Sequence, residues 1–136
     1  MDYKVIELNE SQVDDIENRL SEYDQRHMNC TVSGDIKVGI VNENKLIAGA
    51  DACITAFKIL YVSTVFVDEK YRRKKIGTVL MKEIEKRASL LGANMIRLDT
   101  FDWQGRDFYR SLGYEQVGFY ENKEDRFSEY FFLKRL

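Results

Sequence analysis

The sequence predicts an α+β fold: a mixed sheet with helices on both faces. Two observations carry that expectation. Early and late segments alternate in apolar character as strands do. Between them an apolar strand, an amphipathic helix and a short strand follow in the order of a parallel crossover. The chain has 136 residues, which reads as one domain over 1–136, long enough to bury a core.

Each element has its own signal. Residues 3–8 alternate and read as a first strand. Asn9 followed by Gln12 is a capping-box pattern, with Ser11 as the competing cap, and opens a helix to about residue 25. Val13, Ile16 and Leu20 share one face of it. A polar stretch around 27–35 precedes an alternating strand at 36–41, and Asn42-Glu43-Asn44 turns into a second strand at 45–57. Ile59–Val67 is almost continuously apolar and rich in β-branched residues, the pattern of a strand buried on both faces. Ile76–Leu91 places Ile76, Leu80, Ile84, Ala88 and Leu91 in one stripe, and Gly92 follows where a left-handed cap is expected. A short strand at 95–100, a helix at 103–112 stopped by Gly113, and two closing strands at 114–120 and 126–136 complete the chain. There is no proline, so Gly, Asn and Asp mark the breaks.

Composition narrows the function. A net charge of -2 argues against a general nucleic-acid binder. Cys30 and Cys53 fit no metal or redox spacing and read as reduced thiols. The N-terminal MDYKVIELNE has acids where a signal peptide needs bases, and no stretch approaches the ~18 apolar residues of a membrane span. The expectation is a cytoplasmic protein without nucleic-acid, membrane or metal partners.

The most informative run is Val65-Phe66-Val67-Asp68-Glu69-Lys70-Tyr71-Arg72-Arg73-Lys74-Lys75-Ile76-Gly77-Thr78. Five of the six residues at 70–75 are basic, and they sit between an apolar strand and the first turn of a helix. That turn leaves backbone N–H groups unpaired and carries the positive end of the helix dipole. Basic residues are disfavoured there unless an anion compensates them, so the pattern predicts a phosphate site. Gly77 lets a phosphate approach the backbone, and Thr78 adds a hydroxyl donor.

This run resembles motif A of the GNAT superfamily of N-acetyltransferases: Arg or Gln, two residues, Gly, one residue, Gly or Ala. Arg72 takes the first place and Gly77 the last, while Lys75 stands where the first glycine usually is. That departure implies that residue 75 keeps a negative φ or tolerates strain. The resemblance implies a three-layer fold, its mixed, mostly antiparallel sheet carrying a splayed central strand. It also implies that backbone N–H groups of Arg73, Lys74, Lys75, Ile76, Gly77 and Thr78 hold the pyrophosphate of acetyl-CoA. Val65, Phe66 and Val67 would lie along its pantetheine arm.

A second constellation, Asp102-Trp103-Gln104-Gly105-Arg106-Asp107-Phe108-Tyr109-Arg110-Ser111-Leu112-Gly113-Tyr114, resembles the family's other signature. Tyr109 falls on the family's tyrosine, and Gly113-Tyr114 on its closing pair. Asp102 falls where many members place a cofactor-binding Asn. The thiolate that leaves a thioester benefits from a proton donor, and the resemblance gives that role to Tyr109. Read from the residues alone, Phe108, Tyr109 and Leu112 also fit the buried side of a helix. The base is unassigned: Asp51, Asp68, Glu69, Asp99 and His27, the only histidine, are the candidates.

The family's acceptor pocket maps to 18–34 and 117–126. There Glu22, Asp24, Glu121, Glu124 and Asp125 accompany Tyr23 and Tyr120. Such a rim suits a cationic amine of a small molecule or peptide. The expected activity is acetyl transfer from acetyl-CoA to a primary amine. The alternative is a catalytically silent CoA-binding sensor. The aromatic run Tyr130-Phe131-Phe132-Leu133 suggests an edge strand for a homodimer.

Overall fold

The structure, a computed structural model, describes residues 1–136. It forms two compact units, Met1–Cys30 and Thr31–Leu136. The first unit holds α1, Glu10–Gln25. Its capping box forms as expected: Asn9 accepts from the Gln12 N–H at 2.9 Å, and Gln12 accepts from the Asn9 N–H at 3.0 Å. Residues 3–8 do not form the expected strand. Alternation makes a strand only where a ladder partner takes up the backbone groups, and these residues have none in the sheet.

The second unit is a six-stranded sheet with two helices. Its elements are β1 (Asp35–Asn42), β2 (Lys45–Ala56), β3 (Ile59–Val67), α2 (Ile76–Leu91), β4 (Met95–Phe101), α3 (Arg106–Ser111), β5 (Glu115–Asn122) and β6 (Phe127–Arg135). The strand order is β1-β2-β3-β4-β6-β5, and β3–β4 is the parallel pair. This is the α+β fold the sequence predicts. Glu43 and Asn44 both take positive φ, which suits the tight β1–β2 hairpin. Gly92, at φ 94°, caps α2 in the left-handed region as expected.

The core lies between one sheet face and the helices. Leu60, Ile96 and Phe132 from the sheet meet Leu80, Met81 and Ile84 of α2, all essentially inaccessible. Tyr109 of α3 joins the same cluster. The expectation that β3 is buried on both faces fails. Leu60 and Val62 are buried, but Ser63 and Thr64 are exposed and Phe66 is 58% exposed. Only the face toward α2 is filled, and the ladder to β4 stops at Val62↔Leu98.

Two further expectations are corrected. Residues 103–105 form a turn, so α3 is shorter than its pattern. Gln104 Oε1 accepts the Phe101 N–H at 2.7 Å and Thr100 Oγ1 accepts the Gly105 N–H at 3.1 Å, and these bonds compete with helical ones. The run Tyr130–Leu133 is not an edge strand: β6 lies between β4 and β5, and the sheet's edges are β1 and β5. No helix is long and apolar enough to cross a membrane.

Candidate active site

The fork between β3 and β4 is built by one extra residue. The β2–β3 register slips between Asp51↔Thr64 and Ala52↔Val62, which leaves Ser63 unpaired in the ladder. Such a bulge bends its strand and raises its twist. The parallel ladder to β4 covers only Ile59–Val62. Beyond it, β3 keeps β2 as a partner and leaves β4.

The backbone groups of the bent segment can be assigned by alternation. The Asp68 N–H donates to the Ile47 carbonyl on β2 at 2.8 Å. Successive residues present their N–H and C=O to opposite edges of a strand. Val65 and Val67 therefore turn theirs into the fork, and Phe66 turns its own to β2. On the fork side the Val67 carbonyl accepts Arg72 Nε at 3.0 Å, and the Arg72 guanidinium lies 5.7 Å from the Phe66 ring. Arg72 thus pins the basic turn to the end of β3.

The basic turn has an uncommon backbone. Arg73 and Lys75 both sit at φ 63°, in the left-handed region, and Lys74 between them does not. Alternating hands point successive N–H groups to one side and form an anion-binding nest. Lys75 is the N-cap of α2 and supplies no side-chain cap. The N–H groups of the first helical turn, Ile76, Gly77 and Thr78, therefore keep their donors free beside it. Of the two outcomes the Lys75 substitution implies, strain is the one realised. Gly77 has another duty here: a Cβ on it would stand 3.1 Å from Phe108 Cζ, so the glycine lets α3 pack against the start of α2.

Tyr109 of α3 belongs to the core on the face that carries α2. It is 7% exposed and packs against Phe108, Tyr114 and Phe132. Burial first, and then the Asp99 charge, push its hydroxyl up to about 12. It is therefore fully protonated at neutral pH. α3 is held by three ties that sequence reasoning did not find. Arg106 donates to the Tyr130 hydroxyl at 2.8 Å. Tyr114 donates to Glu85 at 3.0 Å, and Lys134 reaches both Glu85 at 3.2 Å and the Leu112 carbonyl at 2.9 Å. Burial pushes the Tyr114 hydroxyl up strongly as well, helped by Glu85. No motif links these residues; only spatial pairing reveals them.

The other expected residues are dispersed. Asp102 is exposed on the β4–α3 loop, its N–H tied to the Ser128 carbonyl at 3.1 Å. Asp125 is spent on the β5–β6 turn, where its N–H and carboxylate both bond Asn122. Tyr120 donates to Glu129. In the N-terminal unit, the His27 ring lies 4.9 Å from that of Tyr23.

The decisive comparison concerns the sequence. The profile of the acetyltransferase (GNAT) family matches residues 3–114. The chain belongs to the GNAT family of acetyltransferases. Solved structures agree. An acetyltransferase from Bacillus cereus ATCC 14579 is 27% identical, with 98% of each chain covered and a TM-score of 0.91. An aminoglycoside 6'-N-acetyltransferase solved with coenzyme A is 21% identical over 74% of this chain and 72% of its own, at a TM-score of 0.65. The ribosomal-protein-S18-alanine N-acetyltransferase of Escherichia coli is 15% identical over 84% and 76%, at 0.63. These last two share the fold. No curated protein is a significant sequence match. As a GNAT acetyltransferase, the chain is assigned to acetyl-CoA-dependent acetyl transfer.

Proposed function

We propose that this GNAT protein acts as one domain and transfers acetyl from acetyl-CoA to a primary amine of a small molecule or peptide, with Tyr109 as the acid that meets the departing thiolate. Three features support this reading: the nest at Arg73–Lys75, the backbone edge of Val65 and Val67 that β4 leaves unpaired, and the buried, protonated Tyr109 on the helix that follows β4.

In this reading the nest and the first-turn N–H groups of α2 hold the pyrophosphate. Lys74, Lys75 and the free nitrogens of Arg72 and Arg73 add charge-assisted bonds. The edge of β3 extends its ladder onto the pantetheine arm in place of β4, and Phe66 carries the turn there through its contact with Arg72. The Asp102 carboxylate, at the mouth of α3, accepts from the cofactor's amide. The tetrahedral oxyanion takes the Val67 N–H, which points into the fork.

The acceptor amine attacks the thioester carbon, the C–S bond breaks, and Tyr109 donates to sulfur. A hydroxyl at about 12 is a weaker acid than an ordinary thiol, near 8.5. Tyr109 thus acts by holding a proton on the developing thiolate, and a surplus proton from the nitrogen replaces it. Glu121 near the end of β5 and Glu124 on the β5–β6 turn favour a cationic acceptor. The relative solved with coenzyme A, an aminoglycoside acetyltransferase, belongs to the same fold and supports that choice.

The test is acetyl-CoA-dependent thiol release with spermidine, an aminoglycoside, a lysine peptide and a simple alkylamine. Tyr109→Phe should lower kcat by about 10²-fold or more and leave the Kd for acetyl-CoA nearly unchanged. An unchanged kcat removes Tyr109 from the reaction. Tight acetyl-CoA binding without release for any acceptor would instead mark a sensor.

A further inference from the structure

An alkylamine with a pKa of ~10 arrives as an ammonium at neutral pH and must lose a proton before it can attack. Of the carboxylates near the fork, Asp99 stands at the branch itself, while Glu129 on β6 is bonded by Tyr120. We infer that Asp99 is the general base of this enzyme, held at the branch point of the sheet by Tyr61. The inference rests on the acetyl-transfer reading above.

The placement follows from the register. Leu98 is the last residue of β4 paired with β3, and Asp99 is the first beyond the branch. Ile96, Leu98 and Thr100 are buried on the face toward α2, so Asp99 projects from the opposite face. The Tyr61 hydroxyl, two residues back and across the ladder, donates to Asp99 Oδ2 at 2.9 Å. Arg97 lies 4.2 Å from the Tyr61 ring and fixes that ring from its own face. Asp99 Oδ1 takes part in no hydrogen bond with the protein, which leaves it for an incoming N–H. The cross-strand neighbour of Asp99 is Phe131, and that of Phe101 is Glu129.

The base therefore stands on one side of the branch and Tyr109 on the other. Their proximity is felt electrostatically, because the Asp99 charge raises the Tyr109 hydroxyl. Such an arrangement lets an amine enter from the Asp99 face and meet a thioester whose sulfur lies toward Tyr109. The protons balance. The ammonium gives one to Asp99, which passes it to solvent. The N–C bond forms and the C–S bond breaks as Tyr109 gives its proton to sulfur. The nitrogen's second surplus proton then restores Tyr109. One proton is released per acetyl transferred.

Asp99→Asn tests this, because the amide oxygen still accepts from Tyr61 and the volume is conserved. Two nucleophiles are compared at neutral pH: the best amine of the panel, and hydroxylamine, which is already neutral and needs no base. The expected result is a loss of about 10²-fold or more in kcat with the amine and less than about threefold with hydroxylamine. Acetyl-CoA affinity and thermal midpoint should match the parent, which excludes a misfolded variant. An equal loss with both nucleophiles overturns the inference and makes Asp99 a positioning residue. So does full activity with the amine. A parent protein that acetylates hydroxylamine but no alkylamine overturns it as well, since no ammonium is then deprotonated. Failure of the parent with both nucleophiles, despite acetyl-CoA binding, instead overturns the acetyl-transfer reading on which it rests.

Discussion

Lys75 holds the basic turn in a conformation that glycine adopts freely. A left-handed φ costs an L residue roughly 1–2 kcal/mol, offset in part by the lower unfolded-state entropy of lysine compared with glycine. Lys75→Gly should therefore stabilise the protein by about 0.5–1 kcal/mol in urea unfolding, while Lys75→Ala, which keeps the strain, should change it little. Both variants lose the cation, so both should weaken CoA binding and flatten its salt dependence alike. A Lys75→Gly no more stable than Lys75→Ala would show that the strain is not felt. The sequence marks this position as irregular, because a lysine stands in a glycine's place. It gives no such mark at Arg73, which has the same φ of 63°. Side-chain type only biases φ, and here the turn is also tied to the end of β3, where Arg72 donates to the Val67 carbonyl.

At the scale of elements, α2 and β3 were legible to the residue, because a strong stripe and a β-branched run ended at clear breaks. The basic turn before α2 and the helix of Tyr109 could be located from their motifs. The fork could not be read from the strand's own residues, since the Ser63 bulge depends on register with β2. Residues 3–8 misled for the converse reason: alternation is a property of the segment, and pairing is a property of the sheet. The tie from β6 to α2 was equally hidden. Lys134 and Glu85 are 49 positions apart, and their side chains are 23% and 14% exposed. Removing one partner of a largely buried pair leaves the other uncompensated. Lys134→Ala strips Glu85 of its cation and the Leu112 carbonyl of a donor, and should cost about 3 kcal/mol in chemical denaturation. Replacing both, as Glu85→Leu/Lys134→Met, should recover most of that loss. A double variant as unstable as the single one would mean that packing, and not charge, sets the cost.

For the whole molecule, the proton on the buried Tyr109 hydroxyl is bound into the stability of the fold. Its hydroxyl has an ordinary value near 10 in the unfolded chain and is pushed up to about 12 by burial and by Asp99. A group raised on folding keeps its full contribution below the unfolded value and loses it as pH climbs through the folded one. Between these limits the unfolded chain sheds the proton and the native one keeps it, so stability falls with rising pH. The loss attributable to Tyr109 is of order 2–3 kcal/mol, spread from about pH 10 to 12. Tyr114 is shifted the same way and adds to the alkaline loss. Tyr109→Phe removes one of the two groups, so its stability should decline less steeply above about pH 10 than the parent's, although both lie on a plateau below it. Denaturant midpoints across that range measure the difference. The same plateau bounds catalysis: ionisation of the acid should not lower kcat at any pH below about 10, and an alkaline limb that appears earlier and vanishes in Tyr109→Phe would show that the buried hydroxyl is far more acidic than its surroundings dictate.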